Sequence, residues 1–555
     1  ANRAPAMVAF ASRNGVAVWV AVAVAALVCL GVNAGEESKL PNVLFVLVDD
    51  VGFADVGFTG GTAIPTPHLD RLADEGTWLQ NYYTHPVCTP TRTALMTGRY
   101  SAASGVQHPF LVGDDGLPLT LSSAHGGEAL LPEMLQEEFG YRTLMAGKWH
   151  LGHSSWDHLP TRRGFDRFYG FLTAAVSHDT KFLWTPQLPG HDLWDMERPV
   201  MNTTHSSTLY TEKLIGMAEE ELQAGHGRPL FMYLALGAAH SPLQCTEDQL
   251  RRCSHLHSSM RRRYCGLVQS IDDSVRDMDA ALERLGIKEN TIIVFSSDNG
   301  GQPWEGARNY PLRGAKHTPF EGGSRVPAFV WLPPRLRQEG NASVMDGLMH
   351  VSDWKATLGG ICRRLEGGQA AGAVQLMESL VSGLDMSEAL LDGAASPRKD
   401  VLLHYSNART VYGSATVGYR FGDWKLVVDQ HGGGDLSRWF AEPQSFWDWV
   451  APSPVFADYV MEACLIGATY IFPEDQLFIV NEMIHRFALL WSHMHLSFIG
   501  MAERGMDRSS EPATSRLSRG LPVLYDLSQD PGETVDLSTE RPDVLVEMMA
   551  RLEAV

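Results

Sequence analysis

Two nearly unbroken apolar runs of strand length, Asn42–Val48 (NVLFVLV) and Thr291–Phe295 (TIIVF), punctuate the chain. Runs without polar alternation predict strands buried on both faces of a mainly parallel sheet. Leu230–Leu236 (LFMYLAL) and Tyr141–Ala146 (YRTLMA) read the same way. Between them lie helical stripes: Leu267, Ile271, Val275, Met278, Leu282 and Leu285 recur at helical spacing and Gly286 closes the run. Strands alternating with helices predict an α/β fold, with a large mainly parallel sheet sandwiched by helices. The Gly-, Ala- and Ser-rich segment from Cys362 to Arg398 marks a boundary. Beyond it, Val417–Arg420 and Trp424–Val428, joined by Gly422-Asp423, predict a hairpin. The expected layout is a large domain over 35–395 and a smaller C-terminal α+β domain over 396–555 containing an antiparallel sheet. From His431 to Arg519 the chain is aromatic-rich without a clear strand pattern, and no internal repeat is visible.

The N-terminal segment changes the expected compartment. Arg3 and Arg13 precede an apolar stretch, Val16–Val32, and the small residue Ala34 follows. This is a secretory signal pattern, expected over 1–34 with cleavage near Ala34. The stretch falls short of the about 20 apolar residues of a bilayer span, so a signal anchor is the second reading. The sequons at Asn202 and Asn341 fit N-glycosylation on that route. Secretion or a lysosome-like destination follows as the expectation. Seven cysteines are too few for a disulfide scaffold in 555 residues, and Cys29 lies in the leader. The connectivity of Cys245, Cys253, Cys265, Cys362 and Cys464 is left open.

The net charge of −20 excludes nucleic acid as a partner, because phosphate binding is driven by clustered Lys and Arg. Arg261, Arg262 and Arg263 are expected to be a solvated helix face.

In open α/β sheets, ligands bind beyond the carboxyl ends of the strands. The four apolar runs end in Asp49-Asp50, in Asp298-Asn299, in a turn with His240, and in Gly147-Lys148-Trp149-His150. Each alone reads as turn chemistry, but four together predict a site. Carboxylate and amide oxygens suit a hard cation, Ca²⁺ or Mg²⁺. His150 and His153 have zinc-like spacing but no third ligand beside them.

Cys88 opens a predicted helix, with Arg92 one turn on. The free N–H groups of a helix start attract an anion, and a thiolate there is activated. The CxxxxxR loop of cysteine phosphatases requires Arg at 94, where this chain has Ala94. A GxSxG elbow and a GxxxxGK[ST] loop are also absent.

What does fit is CxPxR, met by Cys88, Pro90 and Arg92, followed by Thr97-Gly98-Arg99. This resembles the sulfatase signature, in which the cysteine is oxidised to formylglycine. Within that family the chain resembles the arylsulfatase B-like group (N-acetylgalactosamine-4-sulfatase and relatives), through DDVGFADVGF, TPHLD, NYYTHPVCTPTRTALMTGRY, GKWHLG, LPTRRGFD, LFMYLAL with HSPLQ, FSSDNGG and PLRGAKHTPFEGG. Weaker echoes are HVSDW, GDWKLV and LYDLSQDPGETVDLS. The resemblance covers about 41–360 and parts of 401–428 and 521–540, and leaves 431–519 as an unaligned insertion. It implies an alkaline-phosphatase-like sheet.

The resemblance also implies a mechanism and its residues. One hydroxyl of the hydrated aldehyde at 88 attacks the sulfur of a sulfate ester and expels the alcohol, and the second hydroxyl then loses its proton, which eliminates sulfate and restores the aldehyde. A divalent ion, Ca²⁺ favoured, is held by Asp49, Asp50, Asp298, Asn299 and an oxygen of residue 88. Arg92 and Lys148 match positions that stabilise the hydrated aldehyde, with Lys148 also facing substrate, and His150 matches a base in the elimination. His240 and Lys316 match the side chains that hold the sulfate and assist the leaving oxygen. The implied partners are a sulfate ester, of an aryl alcohol or a sulfated polysaccharide, and the formylglycine-generating enzyme. Two alternatives stand beside this: a formylglycine-dependent phosphate or phosphonate ester hydrolase, and a non-catalytic secreted glycan-binding protein. Trp149, Trp304 and His68 are expected to be structural or cleft wall, and Ser177-His178-Asp179 to line the substrate rim rather than form a triad.

Overall fold

Every residue of β1 (Asn42–Val48) is buried. Its side chains alternate between two cores: Val43, Phe45 and Leu47 enter one, while Leu44, Val46 and Val48 enter the other. An unbroken apolar run is what a strand covered on both faces requires. The computed structural model describes residues 40–106, 129–183, 190–337, 343–367, 383–406, 416–429 and 521–554. The expected leader, Cys29, Asn341, the tract 431–519 and Cys464 lie outside the described residues. Among the described residues, no helix is long and apolar enough to cross a membrane.

The strands that follow are β2 (Thr77–Tyr83), β3 (Arg142–Lys148), β4 (Arg167–Phe171), the short pair β5 (Phe182–Leu183) and β6 (Gly190–His191), β7 (Trp194–Asp195), β8 (Arg198–Pro199), β9 (Leu230–Ala235), β10 (Thr291–Ser297), β11 (Ala328–Trp331) and β12 (Val344–His350). Apart from the β5–β6 pair they form a ten-stranded sheet in the order β12-β2-β11-β10-β1-β9-β3-β4-β7-β8. The centre, β10-β1-β9-β3-β4, is parallel throughout. β11 runs antiparallel to both its neighbours, so the sheet is mixed at its flanks.

Helices cover both faces. Numbered in chain order, α1 is Pro67–Glu75, α2 Cys88–Thr97, α3 Leu131–Phe139, α4 Ser206–Gln223, α5 Ser259–Arg284 and α6 Asp353–Leu365. Leu95 of α2, Leu135 of α3 and Leu358 of α6 share one core. Leu72 of α1, Leu214 of α4 and Ile271 of α5 share the other. The expected stripe from Leu267 is the later part of α5, which starts at Ser259 because Ser258 Oγ accepts Arg261 N at 3.2 Å and caps it. Arg261 is not on a solvated face: it is buried, ion-paired with Asp55, and donates to Gly306 O at 2.8 Å. Cys253 and Cys265 form a disulfide, while Cys88, Cys245 and Cys362 are free thiols.

The C-terminal sheet is antiparallel in the order β13 (Asp400–Ser406), β14 (Thr416–Phe421), β15 (Trp424–Asp429), β16 (Val523–Asp526). The β14–β15 turn uses Gly422 at φ +54°, as the sequence predicts. A final helix, α7 (Pro542–Ala554), lays Val544 and Met548 on Tyr419, Leu426 and Leu524. The sheet grips the segment 313–321. Buried Lys425 lies 2.9 Å from both Glu321 and Glu533, Glu533 accepts Glu321 N at 2.8 Å, and Arg313 donates to Tyr525 OH at 2.7 Å.

Candidate functional site

The four strands whose ends were predicted to deliver chemistry, β10, β1, β9 and β3, are adjacent and parallel. Their carboxyl ends therefore open on one edge. Asp49 N donates to Ala238 O at 2.9 Å and Asp298 N to Val48 O at 2.9 Å, which fixes the first residues past the strands in register. Successive side chains of a strand point to opposite faces, so Asp49 and Asp50 could not share a site if β1 simply continued. Asp50 takes φ +61°, breaking the alternation, and His150 takes φ +55° just past β3. Non-glycine residues at positive φ are uncommon, and here both lie at the site.

Arg92 carries the helix α2 onto this edge. Its Nε and Nη2 donate to Asp298 Oδ2 at 3.1 and 2.8 Å, and its Nη1 to Lys148 O at 3.2 Å. Lys148 Nζ bonds Asp49 Oδ2, which also lies 3.5 Å from Arg92. Lys316 Nζ lies 2.7 Å from Asp50 Oδ1, and Asn299 Nδ2 donates to the same oxygen at 2.6 Å. Three acids, Asp49, Asp50 and Asp298, thus balance three bases, Arg92, Lys148 and Lys316, all of them buried. Burial would raise the Asp49 carboxyl, but Lys148, His240, Arg92 and Lys316 overcome it and hold it well below the usual range. Asp298 is pushed up by burial and by the Asp49 charge.

Cys88 is the first residue of α2, and no side chain caps the helix. Burial pushes its thiol up, against the pull of Lys148 and Lys316. A buried thiol held protonated is a poor nucleophile. Thr89 Oγ1 lies 3.2 Å from His150 Nε2, so His150 borders the start of the same helix. His240 Nδ1 lies 2.7 Å from Ser241 O, and a carbonyl only accepts, so Nδ1 carries hydrogen. That leaves Nε2 facing the cleft, 3.7 Å from Asp50 Oδ2.

At this edge two buried oxygens, Asp49 Oδ1 and Asn299 Oδ1, have no hydrogen-bond partner among the described residues. A buried carboxylate or amide oxygen left unpaired is costly, and a cation is what such a pair of hard donors satisfies. Ligand atoms of Asp49, Asp50 and His240 come within 4.8 Å of one another, so His240 stands on the border of the cation site as well as the cleft. His153 is exposed while His150 is buried.

Several predicted motif residues serve the frame. Asp55 accepts Tyr264 OH at 2.9 Å and Arg308 N at 2.9 Å, and Asp70 accepts Phe58 N at 2.8 Å. Asp166 accepts Thr143 N at 3.0 Å, and Trp149 Nε1 donates to His158 O at 3.0 Å. His178 supports His240 from behind, its Nε2 donating to His240 O at 3.1 Å while its Nδ1 accepts from Ser206 Oγ at 2.6 Å. The sequence reading missed Gln302 and Glu305. Gln302 Nε2 donates to Asp50 Oδ2 at 2.7 Å and to Glu305 Oε2 at 3.2 Å, and Ser241 Oγ donates to Glu305 Oε1 at 2.9 Å. Their nearness to Asp298-Asn299 in the chain was the available signal.

A sequence model of the sulfatase family matches residues 41–361, more than half of the chain. This chain is a sulfatase. The sulfatase is 33% identical over 523 residues to mouse arylsulfatase J, an alignment covering 92% of this chain and 75% of that protein. It is 32% identical over 390 residues to mouse N-acetylgalactosamine-6-sulfatase, covering 67% and 70% of the two chains. Its fold resembles the solved structure of Ps i-CgsB at a TM-score of 0.66 and 23% identity, covering 93% of this chain and 92% of the other. Hydrolysis of sulfate esters is therefore the activity of this enzyme.

Proposed function

We propose that this sulfatase works with residue 88 as formylglycine and one divalent cation, Ca²⁺ in preference to Mg²⁺, on sulfate esters of sugars. The observation that carries the proposal is the placement of buried Cys88 at the point where Arg92, Lys148, Lys316 and the three aspartates converge. The cation would be held by Asp49, Asp50, Asp298 and Asn299 with an oxygen of residue 88, and would supply Lewis acidity toward the sulfate. The hydrated aldehyde would supply two hydroxyls on one carbon, one to attack and one to release the product.

The chain's own side chains do the rest. Arg92 is fixed by Asp298 and Lys148 O, so its charge is preorganised at no cost in reorganisation. Lys148 and His150 border residue 88 and move or stabilise protons there. Lys316 and His240 Nε2 face the ester, where the departing alcohol oxygen needs charge neutralisation and a proton. The three acids and three bases cancel, so a bound divalent cation leaves a net positive site for an anionic ester.

The N-acetylgalactosamine-6-sulfatase name of one relative supports a sugar alcohol as the leaving group. A secretory route, glycosylation at Asn202 and Asn341, modification by a formylglycine-generating enzyme, and the division into 1–34, 35–395 and 396–555 belong to the same proposal. Asn202 lies in a described loop, where its side chain accepts Thr204 N at 2.8 Å. The test is turnover of 4-nitrophenyl sulfate against 4-nitrophenyl phosphate by protein made through a secretory route. A sulfate preference of about 100-fold or more in kcat/KM is expected, and a phosphate preference would replace this reading with that of a phosphohydrolase.

A further inference from the structure

Glu305 adds a fourth carboxylate to Asp49, Asp50 and Asp298 at the cleft. It is half-buried, and its two oxygens accept from Ser241 Oγ at 2.9 Å and Gln302 Nε2 at 3.2 Å. Ser241 follows His240 and lines the small cavity formed with Phe171, Val176, His178 and Gly237. Gln302 bonds Asp50, which in turn holds Lys316. Glu305 therefore borders the side of the cleft where His240 and Lys316 meet the ester. A carboxylate beside an anion site opposes sulfate binding, and among the described residues Glu305 makes no ion pair with a lysine or an arginine, although the Lys316 charge acts on it from across Asp50. Burial and the Asp50 charge push it up, and His240, the Ser241 hydrogen bond and Lys316 pull the other way. A carboxylate has about four lone-pair directions, and two are used, so it retains capacity to accept from a bound molecule.

We propose that Glu305 is a specificity-determining residue that accepts a hydrogen bond from a hydroxyl or amide N–H beside the sulfate ester and repels a second anion there. The substrate class is then a monosulfated neutral or N-acylated sugar, rather than a ring carrying a carboxylate or a second sulfate next to the first. This rests on the proposed action on sulfated sugars. It goes beyond that action, because Arg92, Lys148, His240 and Lys316 recognise sulfate without regard to the ring's other substituents.

The experiment compares kcat/KM for N-acetylgalactosamine 4-sulfate, its 6-sulfate and its 4,6-disulfate in the wild type, Glu305→Gln and Glu305→Ala, each checked by thermal melting. Where a sugar is not turned over, its inhibition constant against 4-nitrophenyl sulfate hydrolysis gives the same ratio. The wild type is expected to favour the better monosulfate over the disulfate by about 10- to 100-fold, as like charges near contact in a partly screened site require. Both variants should narrow that ratio to a few-fold by gaining on the disulfate. Equal use of mono- and disulfate by the wild type, or an unchanged ratio in the folded variants, overturns the inference. Failure of the wild type on 4-nitrophenyl sulfate would instead count against the catalytic reading on which it rests.

Discussion

Lys316 Nζ stands 2.7 Å from Asp50 Oδ1 and 2.9 Å from Asp50 Oδ2, joining the segment after β10 to the end of β1. Burial alone would lower this lysine, but Asp50 and its neighbours hold it above the ordinary value, so it is a fixed cation. Lys316→Met is expected to lower kcat/KM for 4-nitrophenyl sulfate by about 10²- to 10³-fold, the effect of losing one preorganised charge contact. Steady-state kinetics checks this, and inhibition by free sulfate should weaken in parallel.

The unpartnered Asp49 Oδ1 and Asn299 Oδ1 make the folded state a better cation binder than the unfolded chain. Removal of divalent ions with EDTA should lower both activity and melting temperature, and Ca²⁺ should restore them in a concentration-dependent way. At 100 times the dissociation constant the gain is about 2.7 kcal/mol. Asn299→Ala should move the Ca²⁺ midpoint upward in a calorimetric titration.

Buried histidines set the acid side of stability. Burial pushes His85 down to about 4 from an ordinary 6.5, and burial with the stacked His205 pushes His178 down to about 3. Their folded values lie below the unfolded ones, so the unfolded chain binds more protons between those limits. Stability is fully present above pH 6.5 and falls as the pH drops toward 4. His85 alone contributes a loss of about 2 kcal/mol by pH 5. Urea denaturation between pH 7 and pH 4.5 measures this slope. A flat profile would contradict the placement of His85 between Leu403 O and Ser101 N.

Lys425 ties the C-terminal sheet to the segment that bears Lys316. It sits between Glu321 and Glu533, with all three side chains buried. Burial raises Glu321, but Lys425 and Arg420 bring it down to about 2. Lys425→Met leaves two buried carboxylates facing one another and should destabilise by about 3 to 5 kcal/mol, read as a drop in melting temperature. The weak sequence echoes GDWKLV and LYDLSQDPGETVDLS supply both the lysine and Glu533, so those echoes mark this joint.

The sequence made the centre of the molecule legible because unbroken apolar strands announce themselves and their first polar residues mark one edge. Asp49, Asp50, Lys148, His240, Asp298 and Asn299 all came from that rule, and the structure gathers them. Lys316 came only with the family blocks, and Arg92, legible as a cation one turn past Cys88, gave no sign in its spacing that it forks onto Asp298. The antiparallel strand β11 was not legible, nor was the buried state of Arg261, because its partner Asp55 lies far away in the chain. Glu305 and Gln302 were missed for the same reason: a polar residue in a loop looks solvated until folding sets it against Asp50 and Ser241.

Catalysis through formylglycine at residue 88 is tested most directly by mass spectrometry of the tryptic peptide containing that residue, from protein expressed through a secretory route. Formylglycine is expected there, with Cys88→Ala inactive. A peptide carrying only unmodified cysteine in protein that hydrolyses sulfate esters would contradict it.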